Sequence, residues 1–378
     1  MTIDEQHMRR ALDLARAGVG LVSPNPAVGA VLTDAKGREV GTGTHTYDGV
    51  KHAEVLALEQ AGRAAHGGTL YINLEPCSHQ GRTPPCADAL IAAGISRVVC
   101  SMEDPNPQVA GRGFAKLRAA GVNVEVGLLE SEAKKLNESF AKYIRHGKPL
   151  VTLKSAMSLD GKIAPAPASA KNAQTRDRWI TGEAARAHVQ TLRHQNDAIL
   201  VGVGTVIADN PLLTDRSGLP RRRKLLRVIL DSSLRIPLES KIIRGAESDV
   251  LVICTTPNLP ARRALEEKGI RVHQVSSGSD GRPEFAAFLQ FLGKKEITSL
   301  MIEGGSSVNS AALASGEVDK LFLYYAPKIL GGNAVPFIAG EVTGEATNSA
   351  SRCLQQLELH RFGDDFAIEG YFRDPYSR

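Results

Sequence analysis

Aromatic side chains are scarce in this 378-residue chain, at 5% of residues, and Trp179 is the single tryptophan. Proteins that hold single-stranded nucleic acid stack bases on exposed aromatics, so that class is disfavoured at once. Cysteines are few and odd in number, five in all (Cys77, Cys86, Cys100, Cys254, Cys353). They argue against a disulfide framework and for a reducing cytoplasm. No apolar run approaches the ~20 residues of a membrane span; the longest, Ala198 to Ala208, is broken by Gly202 and Gly204. The stretch Met1 to Gly18 is polar and charged, with Met8, Ala11, Leu12 and Ala15 at helical spacing, unlike a secretory signal. A long basic arm is also lacking. The net charge is +5, and the densest basic cluster, Arg221-Arg222-Arg223-Lys224, is too short for a nucleic-acid tail. Neither nucleic acid nor membrane is expected as a partner.

Hydrophobic residues at 42% and charged residues at 23% are those of a soluble globular chain. The length gives a prior of two to three domains. Apolar runs Val28–Leu32, Thr69–Leu74, Arg97–Ser101 and Val122–Val126 read as strands. The segments Lys51–Gly62, Asp88–Ala93, Phe114–Ala120 and Glu130–Arg145 read as helices between or after them. That alternation predicts a layered α/β domain. His146-Gly147-Lys148-Pro149 ends the last helix, so we place domains at 1–146 and 147–378. The second half carries further apolar runs at Leu150–Leu153, Ala198–Val203, Leu225–Leu230, Val250–Cys254, Ser299–Ile302, Leu321–Tyr325 and Phe366–Tyr371, again an α/β pattern. Ala164 to Ala170 is a low-complexity Ala/Pro stretch expected to be a loop.

Metal-ligand chemistry concentrates in two short segments of the first half. His52-Ala53-Glu54 is followed by Pro76-Cys77, with Cys86 nine positions later. One imidazole and two thiolates leave the fourth position of a tetrahedral zinc site open, the arrangement of a catalytic centre. Zinc there would bring the pKa of its water to about 7. Glu54, two positions beyond His52, is near enough to move that water's protons to a ring nitrogen and a departing amine. The zinc-deaminase signature is H-x-E with P-C-x-x-C. Here eight residues separate the cysteines, and two ordinary buried thiols are the competing reading. The intervening Ser78 to Pro85 is rich in turn formers and can return the second thiol to the metal.

Asn25-Pro26-Ala27-Val28-Gly29, His52-Ala53-Glu54 and the run Glu75-Pro76-Cys77 through Thr83-Pro84-Pro85-Cys86 together resemble a family of bifunctional riboflavin-biosynthesis enzymes. Asp104-Pro105-Asn106-Pro107 and Gly111-Arg112-Gly113 continue the likeness, which extends over nearly the whole chain. The family joins a diaminohydroxyphosphoribosylaminopyrimidine deaminase to a 5-amino-6-(5-phosphoribosylamino)uracil reductase. The resemblance implies a cytidine-deaminase-like α/β/α domain with one zinc ion, held by His52, Cys77 and Cys86, with Glu54 as the catalytic group. It also implies that Asn25 holds the pyrimidine. His45 and His79 are substrate contacts or structural histidines, and Arg82 is a phosphate contact or a solvated loop charge.

The second half lacks the dinucleotide fingerprint G-x-G-x-x-G: Gly202-Val203-Gly204 is followed by Ile207 at the third position. One physical feature stands by itself. Ser299–Ile302 runs into Glu303-Gly304-Gly305-Ser306-Ser307 before a helix, a turn suited to a phosphate. The resemblance extends through Lys154 to Lys162, Trp179-Ile180-Thr181-Gly182, Arg193, Gly202 to Leu213 and Glu303-Gly304-Gly305. It implies a dihydrofolate-reductase-like α/β domain that uses NADPH to reduce the ribosyl side chain. Ala156, Trp179, Thr205, Asp209, Gly305, Ser306, Ser307 and Val308 would line the cofactor site. Asp177, Arg193, Leu213, Arg216 and Glu303 would face the substrate, the arginines reading its phosphate. Asp177 stands where the family more often has a small hydroxyl residue. A homo-oligomer acting on phosphorylated pyrimidines is expected.

Overall fold

The structure, a computed structural model, describes residues 1–79, 84–166, 179–256, 258–340 and 353–377. By its contacts the described chain forms two units: 1–147 with 220–223, and 148–219 with 224–377. Among the described residues no helix is long and apolar enough to cross a membrane. The Arg82 and Asp177 expectations, and most of the Ala/Pro stretch, lie outside the described residues.

In the first unit α1 (Ile3–Ala17) opens on a capping box. The Thr2 hydroxyl accepts the Glu5 N–H, and the Glu5 side chain accepts the Thr2 N–H. The apolar spacing read from the sequence buries Met8, Ala11, Leu12 and Ala15. β1 (Gly29–Thr33), β2 (Glu39–Thr44), β3 (Thr69–Ile72), β4 (Arg97–Cys100) and β5 (Asn123–Val126) form a sheet in the order β2-β1-β3-β4-β5. β1 is antiparallel to both neighbours, and β3, β4 and β5 run parallel. The helices are α2 (Ala53–Ala61), α3 (Cys86–Ala92), α4 (Arg112–Ala119) and α5 (Glu130–His146).

β2 was not anticipated. Its sequence, EVGTGT, is short of apolar residues because two glycines serve a close approach instead. A Cβ on Gly41 would lie 2.1 Å from the Ala57 carbonyl oxygen, and one on Gly43 would lie 2.0 Å from that of Ala53. α2 therefore rests on the edge strand by backbone contact, and its N-terminus carries His52 and Glu54.

In the second unit β6 (Leu150–Ser158), β8 (Ala198–Gly202), β9 (Leu226–Leu230), β10 (Val250–Cys254), β11 (Arg271–Gln274), β12 (Ser299–Ile302), β13 (Lys320–Ala326), β15 (Gln355–Phe362) and β16 (Asp365–Tyr371) make one sheet. The order is β11-β10-β9-β8-β12-β6-β13-β16-β15. All neighbours from β11 to β13 are parallel, and β16 and β15 close the sheet antiparallel. β7 (Lys162–Ala164) and β14 (Val335–Pro336) form a small ribbon. The helices are α6 (Glu183–Gln195), α7 (Val203–Asp209), α8 (Lys241–Arg244), α9 (Leu259–Glu267), α10 (Phe285–Lys294) and α11 (Ser306–Ala314). β8 and β10 are apolar and buried along their whole length, as expected where a sheet is covered on both faces. Two apolar clusters lie on its two sides, one centred on Phe288, Leu200 and Leu300, the other on Ile199, Val252 and Met301.

Candidate active sites

His52 is the N-cap of α2 and Cys86 opens α3, so two helix N-termini bring an imidazole and a thiol together. Cys77 completes the group: the ligand atoms of His52, Cys77 and Cys86 all lie within 4.8 Å of one another. His52 Nδ1 is 3.2 Å from Cys86 Sγ and 3.5 Å from Cys77 Sγ, and the Cys86 backbone N–H donates to Cys77 Sγ at 3.3 Å. Hydrogen bonds from Cys86 and His52 outweigh burial and bring the Cys77 thiol down to about 4. A readily ionised thiolate with a second sulfur and one imidazole is the donor set zinc takes, with room for a fourth ligand. Glu54, buried in the first turn of α2, is raised from 4.5 to about 7 by burial, which the His52 charge only partly offsets. A carboxyl so poised exchanges protons near neutral pH.

A second grouping, Glu358, His360 and Glu369, also gathers acidic and imidazole atoms. Lys320 Nζ already lies 2.7 Å from Glu369, and we read this group as an ion-pair network of the sheet.

Asn25 sits beside the sulfur–imidazole cluster. Its Nδ2 is 3.0 Å from His45 Nε2, and His45 Nδ1 is 3.0 Å from the Lys51 carbonyl oxygen. If the Asn25 amide donates, the proton of a neutral His45 is on Nδ1 and donates to Lys51. Burial holds the His45 pKa down, in keeping with a neutral ring. The His45 and His52 rings meet edge to face, with centroids 5.3 Å apart. His79 is exposed. Asp104 lies within the field of His79 and Cys77, and burial raises its carboxyl to about 6.

Sequence reading missed the residues that hold these loops. Asn137 accepts the Ala27 N–H at 2.8 Å and donates to the Ala27 carbonyl at 3.0 Å; Asn73 donates to the same carbonyl and accepts the Gly29 N–H, each at 2.9 Å. Two buried amides thus fix the backbone two residues past Asn25. Glu75, beside the Pro76-Cys77 pair, accepts N–H groups from Asp104 (3.1 Å), Gly111 (2.9 Å), Gly113 (2.7 Å) and Phe114 (3.3 Å). A carboxylate at the start of α4 is favoured by the helix dipole, and here it ties the Asp104 loop to the cysteine loop. The Asp104-Pro105-Asn106-Pro107 motif was a visible signal of this segment, though not of its placement.

In the second unit the expected residues gather at the carboxyl ends of adjacent parallel strands, where α/β sheets place their ligands. β8 leads into Thr205 and Asp209 on α7, β12 into Glu303 and the Gly305–Val308 turn, and β6 carries Ala156. The two turns touch closely: a Cβ on Gly202 or Gly304 would lie 2.7 Å from Val308 methyls, and one on Gly305 would lie 3.6 Å from Thr205 Oγ1. The Ser306 hydroxyl donates to the Pro336 carbonyl, and Ser307 is exposed. Trp179 is 56% exposed, with the Arg186 guanidinium 5.1 Å above its ring.

Arg193, from α6, grips Glu303 with two parallel hydrogen bonds of 3.0 Å and donates a third of 3.0 Å to the Thr214 carbonyl. Lys154 Nζ lies 3.8 Å from Glu303. Burial would raise the Glu303 carboxyl, but Lys154, Arg193 and the more distant Arg216 outweigh it and bring it to about 2. Leu213 is 6% exposed within an apolar cluster and has φ 56°. Its backbone, not its side chain, is what it can offer a ligand.

Residues 149–368 match the RibD C-terminal domain, and residues 1–102 match the cytidine and deoxycytidylate deaminase zinc-binding region. The riboflavin biosynthesis protein RibD of Actinobacillus pleuropneumoniae is 42% identical over 368 residues, 97% of this chain and 94% of that protein. The chain belongs to the RibD family. RibD of Escherichia coli (strain K12) is 42% identical over 342 residues, 88% of this chain and 89% of that protein. Among solved structures, Acinetobacter baumannii RibD (form 1) has a TM-score of 0.80 at 36% identity and covers 98% of both chains. The diaminohydroxyphosphoribosylaminopyrimidine deaminase/5-amino-6-(5-phosphoribosylamino)uracil reductase of Thermotoga maritima has a TM-score of 0.78 at 34% identity, again covering 98% of each. This RibD family member is therefore a bifunctional riboflavin-biosynthesis enzyme acting on small-molecule pyrimidines. It has a zinc-binding, cytidine-deaminase-like N-terminal region and an NADPH-dependent reductase domain after it.

Proposed function

We propose that residues 1–146 deaminate 2,5-diamino-6-(5-phosphoribosylamino)pyrimidin-4-one and residues 147–378 reduce the ribosyl side chain of the product to ribityl. The observation that carries the first half is the set of three ligand atoms within 4.8 Å beside a buried carboxyl. In this reading His52, Cys77 and Cys86 hold the zinc ion. Zinc, when bound, supplies a Lewis acid that makes water nucleophilic near neutral pH. Glu54 takes the proton of the attacking water and returns protons to the ring nitrogen and the amine, so the C–N bond breaks and ammonia leaves. Asn25 and His45 orient the pyrimidine, His79 contacts it from the exposed side, and Arg82 pairs with its phosphate.

For the reductase, Ala156, Trp179, Thr205, Asp209 and the turn Gly305, Ser306, Ser307 and Val308 bind NADPH at the carboxyl edge of the sheet. NADPH, when bound, supplies a hydride to the sugar carbon of the ring-opened ribose, and a solvent proton completes the reduction. Arg193, Arg216 and Glu303 face the substrate, with Leu213 contributing backbone and Asp177 completing the set; the arginines suit a phosphate. A homo-oligomer in a reducing cytoplasm fits five free thiols and an edge strand, β15, with exposed Leu357 and Leu359.

Glu54→Gln tests the deaminase assignment. Ammonia release falls by about 10²–10⁴-fold, the zinc content of the purified protein is unchanged, and supplied deaminated substrate is still reduced at the wild-type rate. Deamination at the wild-type rate contradicts the assignment.

A further inference from the structure

The loop after α7 that carries Arg216 is held to α6 residue by residue. The Thr214 carbonyl accepts from Arg193 at 3.0 Å, and the Arg216 N–H donates to Gln190 Oε1 at 3.0 Å. Between them the Asp215 carboxylate meets His194 Nδ1 at 3.1 Å and accepts the Ser217 N–H at 2.9 Å. The His194 and Asp215 side chains are only 5% and 7% exposed. Gln190, Arg193 and His194 lie three to four positions apart or adjacent at the end of α6, so they address one side of the loop. Leu213 opens the turn in the left-handed region, a conformation unfavourable to a leucine that neighbouring contacts must hold. A buried ion-pair-type contact is a poor source of net stability but a good source of geometric definition.

We propose that His194 and Asp215 form a positioning pair for the reductase: the contact fixes the loop so that Arg216 presents its guanidinium to the substrate phosphate beside Glu303. The inference rests on the reading of Arg216 as a substrate contact. Neither residue touches the reacting atoms. Their effect passes through Arg216, so loss of the pair weakens binding of the phosphorylated pyrimidine and leaves cofactor binding and the hydride step alone.

The test uses the full-length enzyme with the deaminated ribosyl substrate and NADPH. His194→Leu keeps bulk but removes the donor, Asp215→Ala removes the carboxylate, and His194→Asn restores a donor near Nδ1. His194→Leu and Asp215→Ala are expected to raise the substrate KM about tenfold, with kcat and the NADPH KM within about twofold of wild type. His194→Asn recovers most of the substrate KM, and ammonia release by the same protein serves as the folding control. In a double-mutant cycle His194→Leu has no further effect on substrate KM once Arg216→Ala is present. If Arg216→Ala alone leaves the substrate KM unchanged, the reading of Arg216 fails. If Arg216→Ala raises it but the His194 and Asp215 variants do not, or if the cycle is additive, the positioning pair is overturned. An equal rise in the NADPH KM also overturns it, since that marks general loosening of the domain.

Discussion

Glu303 is 14% exposed, and burial by itself would favour its neutral form; Lys154 and the two-pronged contact with Arg193 reverse that. In Glu54 the same contest goes the other way, because burial exceeds the help of His52. Two carboxyls on one chain are thus displaced in opposite directions from the ordinary carboxyl value, Glu54 upward and Glu303 downward, because more cations lie within reach of Glu303. The sign for stability follows. The Glu303 pKa is depressed on folding from 4.5 to about 2, so its ionic contribution is complete above about pH 4.5 and is lost as pH falls toward 2. Glu303→Gln is expected to lower the unfolding free energy at pH 7 by about 3–5 kcal/mol. In denaturant titrations that difference should shrink steadily below about pH 4.5, and a difference independent of pH would contradict the charge argument. At this scale the sequence is informative where the residue types themselves and a short local spacing mark a chemistry. His52-Ala53-Glu54 and the two cysteines carry their chemistry in their spacing. Glu75, Asn73 and Asn137 do not, because each acts on backbone groups far away in sequence, and nothing local marks a buried amide or carboxylate as the anchor of a distant loop.

Strands and helices were legible where their residues are apolar on a regular period, as in α1 and the central strands of the larger sheet. β2 and β15 escaped for opposite reasons. β2 gives up side chains at Gly41 and Gly43 so that α2 can approach, and β15 carries its leucines outward where a pattern for burial cannot see them. The Asp160 carboxylate accepts N–H groups from Leu330 (3.1 Å) and Gly331 (2.8 Å), tying two loops together. The contact of β2 with α2 has a consequence for chemistry, because α2 delivers His52 and Glu54. Gly43→Ala places a methyl 2.0 Å from the Ala53 oxygen, and the helix must shift. We expect a stability loss of about 1–3 kcal/mol and faster loss of zinc to a chelator than in the wild type. Unchanged zinc retention would show that α2 is positioned by something other than this strand.

Across the whole molecule, the scarcities noted at the outset take on specific meaning. Two of the five thiols join His52, while Cys100 and Cys254 are buried in the two cores and Cys353 is exposed. The mild excess of positive charge includes Arg193 and Arg216 around Glu303. The units part between Gly147 and Lys148, and residues 220–223 return to the first unit, an excursion too short to leave a trace in composition or periodicity. The central claim is that one chain holds two separable chemistries, a metal-centred deamination in the first unit and a nicotinamide reduction in the second. A two-step assay on Cys86→Ser tests it most directly, measuring ammonia from the ribosyl diaminopyrimidine and then NADPH absorbance with the deaminated product supplied. The account predicts no ammonia release and a wild-type rate of NADPH oxidation; loss of both activities in a folded protein would contradict it.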